Sequence, residues 1–227
     1  MFVAAAVCPH PPVLVPELAG GAAHELATVR DACDRAVAGL ADAGAEEIVV
    51  VGAGEHTRTY GAGAGGSLAG FGVDLMVGSP PAVLPLSLTL GRWLAERAGV
   101  EPSRYVAVPP DTSPAECLAR GVTLASEPAR LGILVMGDGS ARRTEHAPGP
   151  HDPRAVPFDR SVATALAKAD TAALAELGPG VATELMAAGR PAWQVLAGAA
   201  RGAVWHGELL AHEAPYGVGY FVALWRG

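Results

Sequence analysis

The chain has 227 residues, half of them hydrophobic and 17% charged, with a formal charge of −7. That balance argues against disorder, and the length suffices to bury the core of one large domain. The arginines are scattered, with Arg142-Arg143 the only adjacent pair, which argues against nucleic-acid binding because phosphate recognition needs clustered Lys and Arg.

Three widely spaced cysteines, Cys8, Cys33 and Cys117, include no CxxC pair. They are expected to be small buried apolar residues in a reducing cytoplasm, not a disulfide framework or a thiolate metal site. The first apolar run lacks a basic leader and is interrupted by Pro9, Pro11 and Pro12, a pattern expected of neither a signal peptide nor a membrane span.

Phe2 to Val7 reads as a short buried strand that ends at a Pro-His-Pro-Pro segment held extended by its prolines. Ala22 to Ala43 has Leu26, Val29, Cys33, Val37 and Leu40 at helical spacing, with Gly44 as its stop. Glu47 to Val51 is a continuous β-branched run, the mark of a strand buried on both faces. Strand, helix, strand predicts a parallel pair joined by a right-handed crossover.

Gly52 to Gly72 is Gly-rich and reads as a long loop carrying Glu55 and His56. A short strand is expected at Leu75 to Val77, a helix over Pro85 to Ala98 and a strand over Arg104 to Val108. The next helix runs to Leu124, capped by Thr112 or Ser113 with Pro114 at its first position. Leu131 to Met136 is a buried strand leading into Gly137-Asp-Gly-Ser140, and Thr144 to Pro157 reads as a loop. Helices are expected over Phe158 to Ala169, Thr171 to Leu177, Val181 to Ala188 and Trp193 to Ala203. Trp205 to Ala211 and Val218 to Trp225 form a closing antiparallel hairpin around Pro215-Tyr-Gly. The expected fold is a single α/β domain over 1–227: three layers, α/β/α, around a mixed, partly parallel sheet, with a C-terminal antiparallel hairpin.

Strand ends are where such sheets bind ligands. His10 follows the first strand and His56 the second; if those strands are neighbours, the two histidines sit side by side. Two histidines and a carboxylate make the facial triad of non-haem Fe(II) oxygenases. Glu213, beside the closing turn, is a candidate third ligand. The plainer readings are a hydrogen-bonded loop histidine for His10, a solvated loop tip for Glu55-His56 and a surface charge for Glu213. Asp138 is placed to orient a ligating imidazole or to cap a helix. Ser140 lacks the G-x-S-x-G context of a hydrolase elbow. Leu209-Leu210 and the strand Tyr220 to Trp225 suit either a core or an interface in a homo-oligomer.

These segments, in this order, resemble the LigB-like class III extradiol dioxygenase superfamily, in its small single-domain branch related to Memo proteins. The resemblance rests on Pro9-His-Pro-Pro12 with Val15-Pro-Glu17, the strand before Glu55-His56, Gly137 to Thr144 with Ala147-Pro-Gly-Pro-His-Asp-Pro153 and Phe158-Asp159, and His212 to Ala223. It implies His10, His56 and Glu213 as ligands to Fe(II), or to another divalent metal, with Asp138, Ser140 and Tyr216 around the pocket. It implies the opening of a catechol-type ring, so that the partner is a small aromatic molecule. The family's acid/base histidine falls at Ala141, which cannot transfer a proton. His146 and His151 are the nearby substitutes, and general acid–base help of this kind is worth roughly 10²–10⁴-fold. A homologue that keeps the fold and pocket for binding alone, with no metal, is the alternative.

Overall fold

The computed structural model describes residues 1–227. Its strands are β1 (Phe2–Cys8), β2 (Glu47–Ala53), β3 (Arg58–Gly61), β4 (Ala64–Ser67), β5 (Met76–Val77), β6 (Ser79–Ala82), β7 (Arg104–Val108), β8 (Leu131–Met136), β9 (His206–Glu213) and β10 (Tyr220–Arg226). Its α-helices are α1 (Pro16–Ala19), α2 (Ala27–Asp42), α3 (Leu86–Arg97), α4 (Pro114–Ala125), α5 (Ala155–Lys168), α6 (Thr171–Ala175), α7 (Pro179–Glu184) and α8 (Arg190–Ala199).

Seven strands form the main sheet in the order β3-β7-β2-β8-β1-β10-β9. The four inner strands β7, β2, β8 and β1 are parallel, while β3, β10 and β9 join antiparallel to their neighbours. Alternation along each strand divides the core in two. Ala4, Ala6 and Cys8 of β1 face one side with residues of α2 and α3. Phe2, Ala5 and Val7 face the other with residues of α4, α5, α6 and α8. Period-2 alternation in a sheet covered on both faces explains why β1 and β8 read as unbroken apolar runs. This is the expected three-layer arrangement. A second, three-stranded sheet, β5-β4-β6, lies beside it.

Local signals account for several boundaries. Ser113 caps α4 through the Glu116 N–H while the Glu116 carboxylate takes the Ser113 N–H, a reciprocal capping box, and Pro114 occupies the first helical position. The closing hairpin turns at Gly217, whose φ of +71° suits glycine. All of Tyr220 to Trp225 is buried inside the chain's own sheet, and Trp225 Nε1 donates to the Leu166 carbonyl at 2.7 Å. That strand therefore belongs to the core. The three cysteines are free and buried. No helix is long and apolar enough to cross a membrane.

Some expectations are corrected. β1 and β2 are parallel but not neighbours, because β8 inserts between them. Helix α2 begins at Ala27, after a 3₁₀ stretch over Gly20–Leu26 that lacks a capping side chain. The Gly-rich 52–72 segment contains β3, paired on the edge of β7, and β4; its glycines have no side chains to show a period. Helix α5 starts at Ala155, inside the expected loop, and tolerates Pro157 because first-turn N–H groups need no helical partner.

Candidate functional site

The carboxyl ends of the parallel strands set the site. β1 ends at Cys8 and delivers His10; β8 ends at Met136 and delivers Asp138. These strands are adjacent and in register, Cys8 opposite Met136, so His10 and Asp138 come together. The His10 backbone N–H donates to Asp138 Oδ1 at 2.7 Å, and His10 Nδ1 lies 3.7 Å from the same oxygen, beyond hydrogen-bond reach. His10 is 8% exposed, and its Nδ1 is buried without a partner.

β10 runs antiparallel to β1, so its first residue lies at this same edge of the sheet. Tyr220 faces the cavity side, while Phe221 turns to the opposite core. Burial pushes the Tyr220 phenol up, with the nearby Asp138 charge and Tyr216 adding to the effect. Burial also pushes the Asp138 carboxyl up, against the opposing influence of His10.

Together these groups open onto a cavity of about 420 Å³. Pro11, Val13, Leu86, Met186 and Val218 supply apolar wall, and Tyr216 adds a second phenol. The Tyr216 hydroxyl is raised by desolvation and by the Glu25 carboxylate beside it. Ala141 is part of this wall, so the position where the resemblance calls for a histidine does face the cavity, and offers it only a methyl group.

The other expected site residues fall elsewhere. His56 is exposed on the turn between β2 and β3, which carries the chain outward to the edge beyond β7. Glu213 ends β9, opposite Tyr220, and does not line the cavity. β8 separates the strand of His10 from that of His56, and β10 separates it from that of Glu213. Two strand spacings amount to roughly 10 Å in each direction. No group of three or more His, Cys, Asp or Glu side chains is placed to hold a metal ion. The residues as arranged do not fit a three-ligand iron centre; Asp138 and Tyr220 occupy the strand ends between them.

Ser140 is buried behind the cavity, donating to the Leu185 carbonyl at 2.9 Å, and acts as a fastening. His146 is exposed, and His151 is exposed with its Nδ1 3.4 Å from Glu145; neither lines the cavity.

Behind the same loop lies an ion pair that sequence reasoning missed. Asp159 is fully buried; its Oδ1 accepts the Ser140 N–H at 2.8 Å and its Oδ2 lies 3.1 Å from Arg143 Nη1. Arg143 Nη1 is also 3.3 Å from His212 Nε2, and the His212 ring packs 4.9 Å from Phe221. A Cβ on Gly219 would stand 2.2 Å from Asp159 Oδ2, so glycine is needed for this close approach. Burial pushes the Asp159 carboxyl up to about 6 despite Ser140 and Arg143. Burial, then Arg143 and Arg160, push His212 down. Tyr220 was missed as a site residue too, although its alternation against Phe221 in the closing strand was the available signal.

No family model matches the chain, and no curated protein does. Among solved structures, the chain is similar to the crystal structure of uncharacterized protein JW3007 from Escherichia coli K12, with a TM-score of 0.61 and 16% identity over 99% of this chain and 100% of that one. At that identity the likeness shows a shared fold.

Proposed function

We propose that this protein is a divergent, non-catalytic relative of the class III extradiol dioxygenases that binds a small ring-bearing molecule beside His10. The observation that carries this reading is the apolar-walled cavity with His10, Asp138 and Tyr220 converging at the strand ends. Its volume lies in the range of small-molecule sites, and a few placed polar groups in an apolar wall are how such sites orient a ligand. A phenolic ring fits this chemistry: its hydroxyl donates to Asp138 and accepts from Tyr220. Ring cleavage with Fe(II) would need His56 and Glu213 to reach His10 past the ends of β8 and β10, and would need a proton carrier in place of Ala141. Binding needs neither.

The test is calorimetric titration with p-cresol and catechol. Ala141→Leu, which grows into the cavity, is expected to weaken both by about tenfold or more while leaving the thermal midpoint in place. Undiminished affinity in that variant would move the ligand elsewhere. Oxygen uptake with catechol by the Fe(II)-loaded protein, abolished by His10→Ala, would overturn the non-catalytic part.

A further inference from the structure

Helix α7 ends in a Schellman motif: the Met186 N–H donates to the Thr183 carbonyl at 3.1 Å and the Ala187 N–H to the Ala182 carbonyl at 2.8 Å. Such an end puts one residue in the left-handed region, where glycine is the usual choice. Here that residue is Met186, with a φ of +54°. The chain's other positive φ values belong to seven glycines and to Ala169, so Met186 alone carries a long side chain on this kind of backbone. Its side chain lines the ring cavity and, with Ala188, also lines an adjoining cavity of about 230 Å³. We infer that Met186 is the specificity-determining residue of the ring cavity: its thioether partitions the two spaces and limits the ligand to a single ring. This rests on the ring-binding reading above and adds the size of the ligand and the side chain that sets it.

The backbone around Met186 is fastened on both sides. The Leu185 carbonyl accepts from Ser140 Oγ at 2.9 Å and from the Ala141 N–H at 3.1 Å, and the Gly189 N–H donates to the Asp138 carbonyl at 2.8 Å. The side chain is seated as well. A Cβ on Gly149 would stand 2.5 Å from Met186 Sδ and 2.8 Å from Arg142 Cγ, so the thioether occupies a notch that a side chain at 149 would fill. Arg142, beside that notch, is itself tied: Nε donates to the Pro150 carbonyl at 2.7 Å and Nη1 to the Glu184 carbonyl at 2.6 Å. The adjoining cavity has apolar wall from Pro110, Ala182, Ala187 and Pro191. The Arg190 guanidinium at its edge is committed to the Pro110 and Thr112 carbonyls and to Gln194 Oε1, so this space accepts hydrocarbon once the thioether is gone. Met186 is nonetheless 49% exposed, so core packing does not explain a long side chain on a strained backbone. A thioether against a ring edge is a favourable contact, and that is the use the cavity gives it.

The test uses p-cresol and 2-naphthol, which share a hydroxyl head and differ by a fused ring. Each is titrated calorimetrically into the full chain as wild type, Met186→Ala, Met186→Gly and Met186→Leu. Wild type is expected to bind p-cresol the more tightly. Met186→Ala should bind 2-naphthol about tenfold tighter than wild type does, because the fused ring enters the adjoining space, and p-cresol about threefold weaker for want of the thioether. Met186→Gly should shift both affinities the same way and keep the thermal midpoint at or above the wild-type value, since it relieves the backbone. Met186→Leu refills the wall and should keep the wild-type order. If p-cresol binds and the ratio of the two affinities is the same in Met186→Ala as in wild type, the inference is overturned and the ring cavity stands. Wild type binding 2-naphthol more tightly than p-cresol overturns it too, as does a lowered midpoint in Met186→Gly, which would make the side chain a support of the fold. If neither probe binds wild type, the ring-binding reading fails, and this inference with it.

Discussion

Two aspartates flank the segment that leaves β8, and they are built differently. Asp138 and Asp159 are both carboxyls pushed up by burial, and each lies on the side of the segment that carries a histidine, His10 or His212. Asp159 has both oxygens engaged, by the Ser140 N–H and by Arg143, and a glycine is kept at 219 to let it in. Asp138 takes one backbone N–H, leaves the enclosed imidazole nitrogen beside it unpaired, and lines the cavity. A fully satisfied buried network rigidifies; an incompletely satisfied one is retained where something else completes it. The closed cluster fastens the β8 loop to the closing hairpin. The open one is what that fastening holds in place.

The largest expected effect breaks the closed side. Asp159→Ala strips the partner from the Ser140 N–H and from Arg143 together, and removing one member of a buried pair costs roughly 3 kcal/mol or more. Urea unfolding measures it directly. A loss under about 1 kcal/mol would mean that the cluster is not a fastening, since even one abandoned buried donor costs that much.

Next in size is a pH effect on the same group. The folded Asp159 carboxyl is raised to about 6 from 3.8, so the folded chain holds this proton more tightly than the unfolded chain. Its contribution to stability is fully present below the unfolded value and is lost as pH rises through about 6. Arg143 faces it and opposes the shift, and His212, beyond Arg143, is itself pushed down by burial and then by Arg143 and Arg160. Two pH units correspond to about 3 kcal/mol, an order-of-magnitude figure. Unfolding free energies of wild type and Asp159→Asn, measured across this window, should diverge in slope, with the variant flatter. Parallel curves would remove the aspartate from the account.

How much of this was legible in the sequence follows from what each signal measures. Strand and helix identity came through where burial is two-sided and continuous, as at Ile48 to Val51 and Leu131 to Met136, or where a cap is written locally, as at Ser113-Pro-Ala-Glu116. Strand order did not, because the insertion of β8 between β1 and β2 depends on which helix covers which face, and no residue near His10 or His56 encodes it. That single displacement separates the expected iron ligands and brings Asp138 to His10 in their place. His10, Asp138 and Tyr216 were legible because each stands beside a proline or glycine at a strand end. The Asp159–Arg143 pair was not, because a buried carboxylate and a surface one look alike until packing is known.

The smallest effect tests the open side alone. The Tyr220 ring is buried and lines the cavity, but what raises its phenol is burial and the Asp138 and Tyr216 charges, with no hydrogen bond among the causes. Tyr220→Phe therefore removes a hydroxyl that the fold does not use and keeps the ring that it does. Its thermal midpoint should match wild type, in contrast to Asp159→Ala. A ring ligand that accepts from this hydroxyl loses one hydrogen bond, worth about 1 kcal/mol, which weakens p-cresol binding about fivefold. If Tyr220→Phe lowers stability and leaves p-cresol affinity untouched, the phenol belongs with Asp159 among the fastenings, and the open cluster contracts to His10 and Asp138.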